Sequence, residues 1–338
     1  MNKPITFDDL TDFLRSEGIE PTLVPNRNYW FLRTHGGDYY KEFFLKGFVA
    51  IGWNDAPCVE ELYRTDEIVG PFKEKYGANT TRVFNQVYRF CREMQKGDIV
   101  IIPSTGSAEF AFGLLEDDIH YEADDIDGAL QEESCPYLKR RKVKWITSTK
   151  RYLIDPKLYL FFRNQQALSN ANDYRPFIER AINPFYIMDG VAYFNIAVRR
   201  QADVPSLHIP LYMTGILERA VELNNAINNE DEAVTAAARK INSRVNVQCP
   251  GVIEYFGPVI LVTAIAVIGV LIVGGKLKIS KDPIGKIDAE LSTDGLLEKI
   301  IAFLQLYYDN KKKSAAISDD TLEEVSNDLD IKIPRKRS

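Results

Sequence analysis

Residues 256–275, FGPVILVTAIAVIGVLIVGG, run for 20 positions without a charged side chain, and Thr263 is the one polar side chain among them. No other stretch restricts the fold of this chain as much. As one helix it would be about 30 Å long, the thickness of a bilayer's hydrocarbon core. A helix on the surface of a domain keeps a polar stripe toward water, and this run has none. Thr263, Ala266 and Gly269 recur at every third position and would place small groups where a second helix or a pore could approach. The run therefore predicts a transmembrane helix over 256–275. A pair of buried parallel strands would also carry such a run, because ten of the fifteen residues from Val259 to Val273 are β-branched. Arg239, Lys240 and Arg244 precede it and Lys276, Lys278, Lys281 and Lys286 follow, so basic residues leave its orientation open.

The rest of the chain has a different texture. With 338 residues, 45% hydrophobic and 27% charged, two or three folded units are expected without a disulfide scaffold. A net charge of −6 excludes a generic polyanion binder, so any nucleic-acid contact has to come from a local patch. Cys58, Cys91, Cys135 and Cys249 form no CxxC, and three histidines are too few for an expected zinc site. The first 21 residues are acidic and amphipathic and lack the apolar stretch of a signal peptide, which places the first 250 residues in the cytoplasm. No Ser-His-Asp or Cys-His arrangement and no Walker or Rossmann glycine pattern is present, so neither an enzyme nor a cofactor is expected. His35 beside Gly36 reads as a turn residue before a general base.

Along the chain, ITFDDLTDFLRSEG predicts a helix with Thr6 as N-cap, Gly18 as stop and an apolar face of Phe7, Leu10, Phe13 and Leu14. NYWFLRT and GFVAIGW read as strands around a turn and a short helix. Residues 60–95 are mainly helical, with Val83, Val87, Phe90 and Met94 as the apolar stripe. GDIVIIPSTGSAEFAFGLL gives two strands about a Ser-Thr-Gly turn, and KRRKVKWI one more. Residues 211–246 read as helices with a break at the Asn-Asn-Glu-Asp run. Beyond the apolar run, KLKIS and KIDAEL could form a hairpin and STDGLLEKIIAFLQLYY an amphipathic helix, before a charged, loosely ordered end.

Three of these stretches, YWFLRTHGGDYYKEFFLKGFVAIGW, GDIVIIPSTGSAEFAFGLL and KRRKVKWI, resemble the PUA/EVE-like domain at the N-termini of some Mrr-type restriction endonucleases. The resemblance implies a small mixed β-barrel that reads nucleic acids or unusual bases through an aromatic pocket. The nuclease motif of those endonucleases is not found here. The expected fold class is thus α+β. Its parts are an N-terminal helix and linker (1–27), a PUA/EVE-like mixed β-barrel (28–205), a helical connector (206–255), one transmembrane helix (256–275), a small C-terminal hairpin and helix (276–310) and a charged tail (311–338).

Within the barrel, Trp30, Tyr39, Tyr40, Phe43, Phe44 and Trp53 are rings on which a base could stack, Trp53 beside Gly52 and Tyr39 above all. The alternative for each is a place in the core. Arg33, Thr34, Gly36 and Gly37 combine a charge, a hydroxyl and free amides suited to phosphate, and Ser104 and Thr105 of PSTGS offer the same on a second turn. Lys139, Arg140, Arg141, Lys142 and Lys144 read either as a solvated face or as a basic strip for a phosphate backbone, with the acidic stretch before them as a competitor.

Two functions follow. In layout the chain is similar to the membrane effector of the Hailong anti-phage system. That similarity implies an inner-membrane homo-oligomer, such as a tetramer, whose cytoplasmic domain binds a DNA oligomer or other nucleotide made by a nucleotidyltransferase partner and controls a channel. The other is a reader of modified DNA or RNA bases, its apolar run packed inside a second domain, acting with a separate enzyme.

Overall fold

The structure is a computed structural model and describes residues 6–58, 66–117, 120–121, 135–228, 233–247, 250–273 and 317–334. The chain forms two compact units, one of residues 26–182 and one that joins residues 1–25 to 183–338. Residues 183–205, grouped above with the barrel, lie in the latter.

Helix α1 (Phe7–Ser16) starts as its sequence dictates. Thr6 accepts from the Asp9 amide, and the Asp9 carboxylate accepts from the Thr6 amide at 2.8 Å, a closed capping box. Gly18, at φ 74°, turns the chain away, and Leu10, Phe13 and Leu14 are buried. Strand β1 (Thr22–Leu23) follows. Both elements belong to the unit completed by residues 183–338.

Residues 26–182 supply β2 (Tyr29–Leu32), α2 (Tyr40–Lys46), β3 (Phe48–Ile51), α3 (Asp66–Tyr76) and α4 (Thr80–Tyr88), the last running on into a π-turn over Arg89–Glu93. Then come β4 (Ile99–Pro103), β5 (Glu109–Leu115), β6 (His120–Tyr121), β7 (Lys139–Lys150), α5 (Pro156–Phe161), β8 (Leu168–Asn170) and α6 (Arg175–Ile182). The strands form one mixed sheet in the order β3-β7-β5-β4-β2-β8, with β6 beside β7 and β2 parallel to β4. It is a half-barrel. The closed barrel expected from the sequence is not made, since β3 and β8 end the sheet without pairing to each other. Every residue of β2, β3 and β4 is buried, because both faces of the sheet are covered. Trp30, Leu32, Val100 and Ile102 face one cluster with Phe43 and Phe90. Tyr29, Phe31, Ile99 and Ile101 face the other, with Leu158 and Ile178. Cys58 and Cys91 are joined in a disulfide, Cα atoms 5.8 Å apart, although their spacing of 33 residues gives no local sign of it.

The other unit adds β9 (Phe185–Met188), β10 (Val191–Val198), α7 (His208–Asn228), α8 (Val234–Ala238), β11 (Asn242–Val247), β12 (Gly251–Gly257), α9 (Val259–Val273), α10 (Asp319–Asp328) and β13 (Ile331–Lys332). Its sheet runs β1-β9-β10-β12-β11, with β13 on β10. The expected helical connector is therefore strand over β11 and most of β12. Part of the expected loose tail is folded, since Leu322, Val325 and Leu329 of α10 are buried. The hairpin and helix expected over 276–310 lie outside the described residues.

The transmembrane helix is overturned. Phe256 and Gly257 end strand β12, Pro258 follows, and the described helix α9 has 15 residues. That is about 22 Å at 1.5 Å per residue, against about 30 Å of hydrocarbon. Among the described residues no helix is long and apolar enough to cross a membrane. Leu261 to Ile272 are all buried in protein. Leu10 and Leu14 of α1, Ile216 and Ala220 of α7, Leu322 of α10 and Phe194 of β10 belong to the same cluster. Helix α9 has no polar stripe because it is the central core helix of a unit that covers it on every side. Thr263 donates to its own turn, at the Val259 carbonyl, 2.8 Å away. A methyl on Gly269 would sit 3.1 Å from Ile333 and 3.4 Å from Ile216, so the small residues serve close packing within the core.

Candidate functional site

A cavity of about 370 Å³ opens in the half-barrel among the predicted residues, within the range of small-molecule sites. Its walls come from the ends of β2 and β3, the turn after β2, helix α4, Tyr137 ahead of β7, and Gln165 to Ala167 ahead of β8. Leu32, Ala50, Ile51 and Ala167 give it an apolar floor. The rings of Trp53, Tyr137 and His35 and the amides of Gln86, Gln165 and Gln166 add flat and hydrogen-bonding surface. Among the described residues, Arg33 and Arg82 are its charged members and no carboxylate lines it.

Each wall is held from behind. Gln86, buried on α4, accepts from the Leu168 amide at 2.6 Å and so ties the helix to β8. The Tyr137 ring lies on Gly52, where an added Cβ would be 3.2 Å from it. Asn54 donates to the Pro136 carbonyl at 2.9 Å and accepts from the Leu138 amide at 3.0 Å, so the loops that carry Trp53 and Tyr137 are joined. Burial, followed by the neighbouring Tyr39 and Cys135, pushes the Tyr137 phenol up to about 12. It therefore remains a neutral O–H donor at physiological pH.

The basic strip is not a solvated track. Lys139, Arg140 and Arg141 are buried at the start of β7, whereas Lys142 and Lys144 are exposed. Lys139 donates to the Trp53 and Asn54 carbonyls at 2.8 and 3.0 Å, and burial lowers its pKa. Arg140 lies over the Phe48 ring and donates to the Tyr137 and Cys135 carbonyls. Arg141 reaches the carbonyls of Phe90, Met94 and Asp117. Lys139 and Arg140 thus position the two aromatic walls of the cavity instead of meeting a phosphate chain themselves.

The other predicted residues separate in the same way. Trp53, Arg33 and Gly36 line the cavity. Thr34 is buried and donates to the Pro103 carbonyl at 2.6 Å. Tyr39 stands behind the wall, edge-on to Tyr137 at 5.2 Å and stacked with His35 at 5.5 Å. Gly37, at φ 110°, packs against Thr105, and a Cβ there would come within 2.3 Å of its backbone, so the two glycine turns are locked together. Ser104 accepts from the Glu109 amide at 2.9 Å and closes its own turn. Trp30, Tyr40 and Phe43 fill the core.

Residues 31–159 match a family described as a domain of unknown function, DUF8426. No curated protein and no solved structure matches the chain. The matched segment contains Trp53, Gln86 and Tyr137, while Gln165, Gln166 and Ala167, which close the cavity, lie beyond it. Sequence reasoning missed Tyr137, Arg82 and the three glutamines. They stand on separate segments in no recurrent spacing, and only the fold brings them together.

Backbone strain gathers at the same place. Among the described residues five non-glycine positions have positive φ; His35 (53°) and Trp53 (59°) line this cavity, and Ser107 (54°) lines an adjoining one. Each costs about 1–3 kcal/mol and persists only where its surroundings impose it. Lys139 supplies that constraint at Trp53, by holding its carbonyl. Among the described residues, no group of three His, Cys, Asp or Glu could hold a metal ion.

Proposed function

We propose that residues 26–182 form a nucleic-acid reader that takes a single base into the cavity lined by Trp53 and Tyr137. One observation carries this: strained or clamped aromatic residues meet three side-chain amides in a cavity that, among the described residues, no carboxylate lines. That is a lining for a neutral, flat heterocycle with donors and acceptors on its edge. Ring stacking would supply about 1–3 kcal/mol and the glutamine amides the choice between bases. The resemblance to PUA/EVE-like domains supports the same ligand class. Since α9 is a core helix, the reader is best taken without a channel, as a module that delivers recognition to a separate partner enzyme.

The test is fluorescence polarisation with single-stranded and duplex oligonucleotides that differ at one base, unmodified or modified. The reader is expected to favour at least one of these bases, and Trp53→Ala to weaken that binding about tenfold or more. Equal affinity across the panel, unchanged in Trp53→Ala, would remove the cavity from recognition.

A further inference from the structure

A second cavity of about 170 Å³ adjoins the first, sharing Arg33 and Gln165 as a common wall. Three arginines, Arg33, Arg151 and Arg163, line it, and among the described residues no carboxylate does. Among the described residues, no carboxylate pairs with any of the three. Arg33 uses its Nε on the Asn164 carbonyl at 2.9 Å, which fixes the guanidinium plane and leaves its terminal nitrogens for other acceptors. Arg151 lies over the ring of Tyr159 at 5.3 Å, and the Tyr159 hydroxyl donates back to the Arg151 carbonyl at 2.8 Å, so this cation is set in place as well. Ser107, one of the strained residues, completes the rim. Three arginines brought together without a counter-ion repel one another. A fold that holds two of them in defined positions supplies a site for an anion, and the forked guanidinium suits phosphate oxygens.

The first cavity also adjoins a third, with which it shares Arg82, Gln86 and Gln166 and which Arg89 also lines. Both cavities that adjoin the base cavity thus carry arginine.

The geometry points to a phosphate subsite at Arg33, Arg151 and Arg163 that holds the phosphodiester next to the base in the first cavity. The ligand is then an internal nucleotide of a strand, which continues past Arg82 and Arg89, and not a free nucleoside. This rests on the base-reading role proposed above. It also moves phosphate recognition away from the buried Lys139–Arg141 strip.

Arg151 and Arg163 are exposed, so their replacement leaves the core intact. The probe is a fluorescein-labelled, single-stranded oligothymidylate of nine nucleotides, titrated by polarisation over a series of salt concentrations. Arg151→Ala with Arg163→Ala is expected to weaken binding about tenfold at low salt and to reduce the slope of log K against log salt by about 0.7–1.4. Arg151→Lys with Arg163→Lys keeps both charges and should restore most of the slope. Inorganic phosphate should compete with the wild type and much less with the double alanine variant.

If the double alanine variant keeps the wild-type affinity and slope while Trp53→Ala weakens binding, the phosphate subsite is overturned and the base cavity stands. If the arginine variant weakens binding and Trp53→Ala does not, the strand is held without a base in the cavity, and the coupled site is overturned together with the base reading. No binding by the wild type sinks both.

Discussion

Ala266→Asp is expected to prevent the unit of residues 1–25 and 183–338 from folding. Ala266 is fully buried midway along α9, in a cluster made of apolar side chains from α1, α7, α10 and the sheet. An ionised carboxylate there has no counter-ion among those neighbours. The protonated acid would still cost about 1–3 kcal/mol as an unpaired polar group, and the added volume another 1–3 kcal/mol. Retaining the charge would cost more. Even the neutral form thus removes about 2–6 kcal/mol, which reaches into the roughly 5–15 kcal/mol that holds a whole domain together. In a membrane span the same change costs about 2.5–3.5 kcal/mol at the helix centre and the protein can remain folded. Leu23→Asp is the control, because Leu23 is 75% exposed. It should alter stability by no more than about 0.5 kcal/mol. Circular dichroism and thermal melts of the three proteins decide the matter; an Ala266→Asp protein that melts with the wild type would place α9 outside the core.

The second large effect is expected at Arg141. Its side chain is 1% exposed and its terminal nitrogens donate to three carbonyls, of Phe90, Met94 and Asp117, at 3.1, 2.7 and 2.9 Å. Arg141→Ala leaves those acceptors without their donor and opens a cavity between β7 and the end of the α4 π-turn. A loss of about 3–5 kcal/mol follows, or roughly 6–20 °C in the melting temperature of the unit formed by residues 26–182. Lys142→Ala, one residue on and exposed, should stay within about 0.5 kcal/mol. A solvated phosphate strip requires the opposite outcome, with Arg141→Ala folded normally and impaired only in nucleic-acid binding.

These two positions also show where the sequence could be read and where it could not. The capping box at Thr6 and Asp9, the glycine stop at Gly18, and the strands at Tyr29, Phe48, Ile99, Glu109 and Lys139 were legible, because caps and apolar runs are local signals that this fold obeys. Helix α9 was misread because an absent polar stripe shows only that water is absent on every side, and neighbours far away in sequence supply that as well as lipid does. α1 lies some 250 positions before α9, and α10 follows only after a further stretch of chain. The basic run at Lys139 was misread for a related reason. Charge reads as exposure unless a nearby set of carbonyls needs donors, and most of those carbonyls belong to Trp53, Phe90 and Met94, on other segments. Of the site, Trp53, Arg33 and Gly36 could be picked out because aromatic, cationic and glycine-turn residues cluster there. The three glutamines and Tyr137 carry no such mark, and their role depends on the tertiary approach of α4, β7 and β8.

The central claim is that a single base enters the cavity walled by Trp53 and Tyr137. Its most direct test is the nucleoside composition, by mass spectrometry, of the nucleic acid that copurifies with the wild-type protein and with Trp53→Ala. Enrichment of one nucleoside over its abundance in bulk cellular nucleic acid, lost in Trp53→Ala, is the result expected. A composition equal to the bulk in both preparations would contradict it.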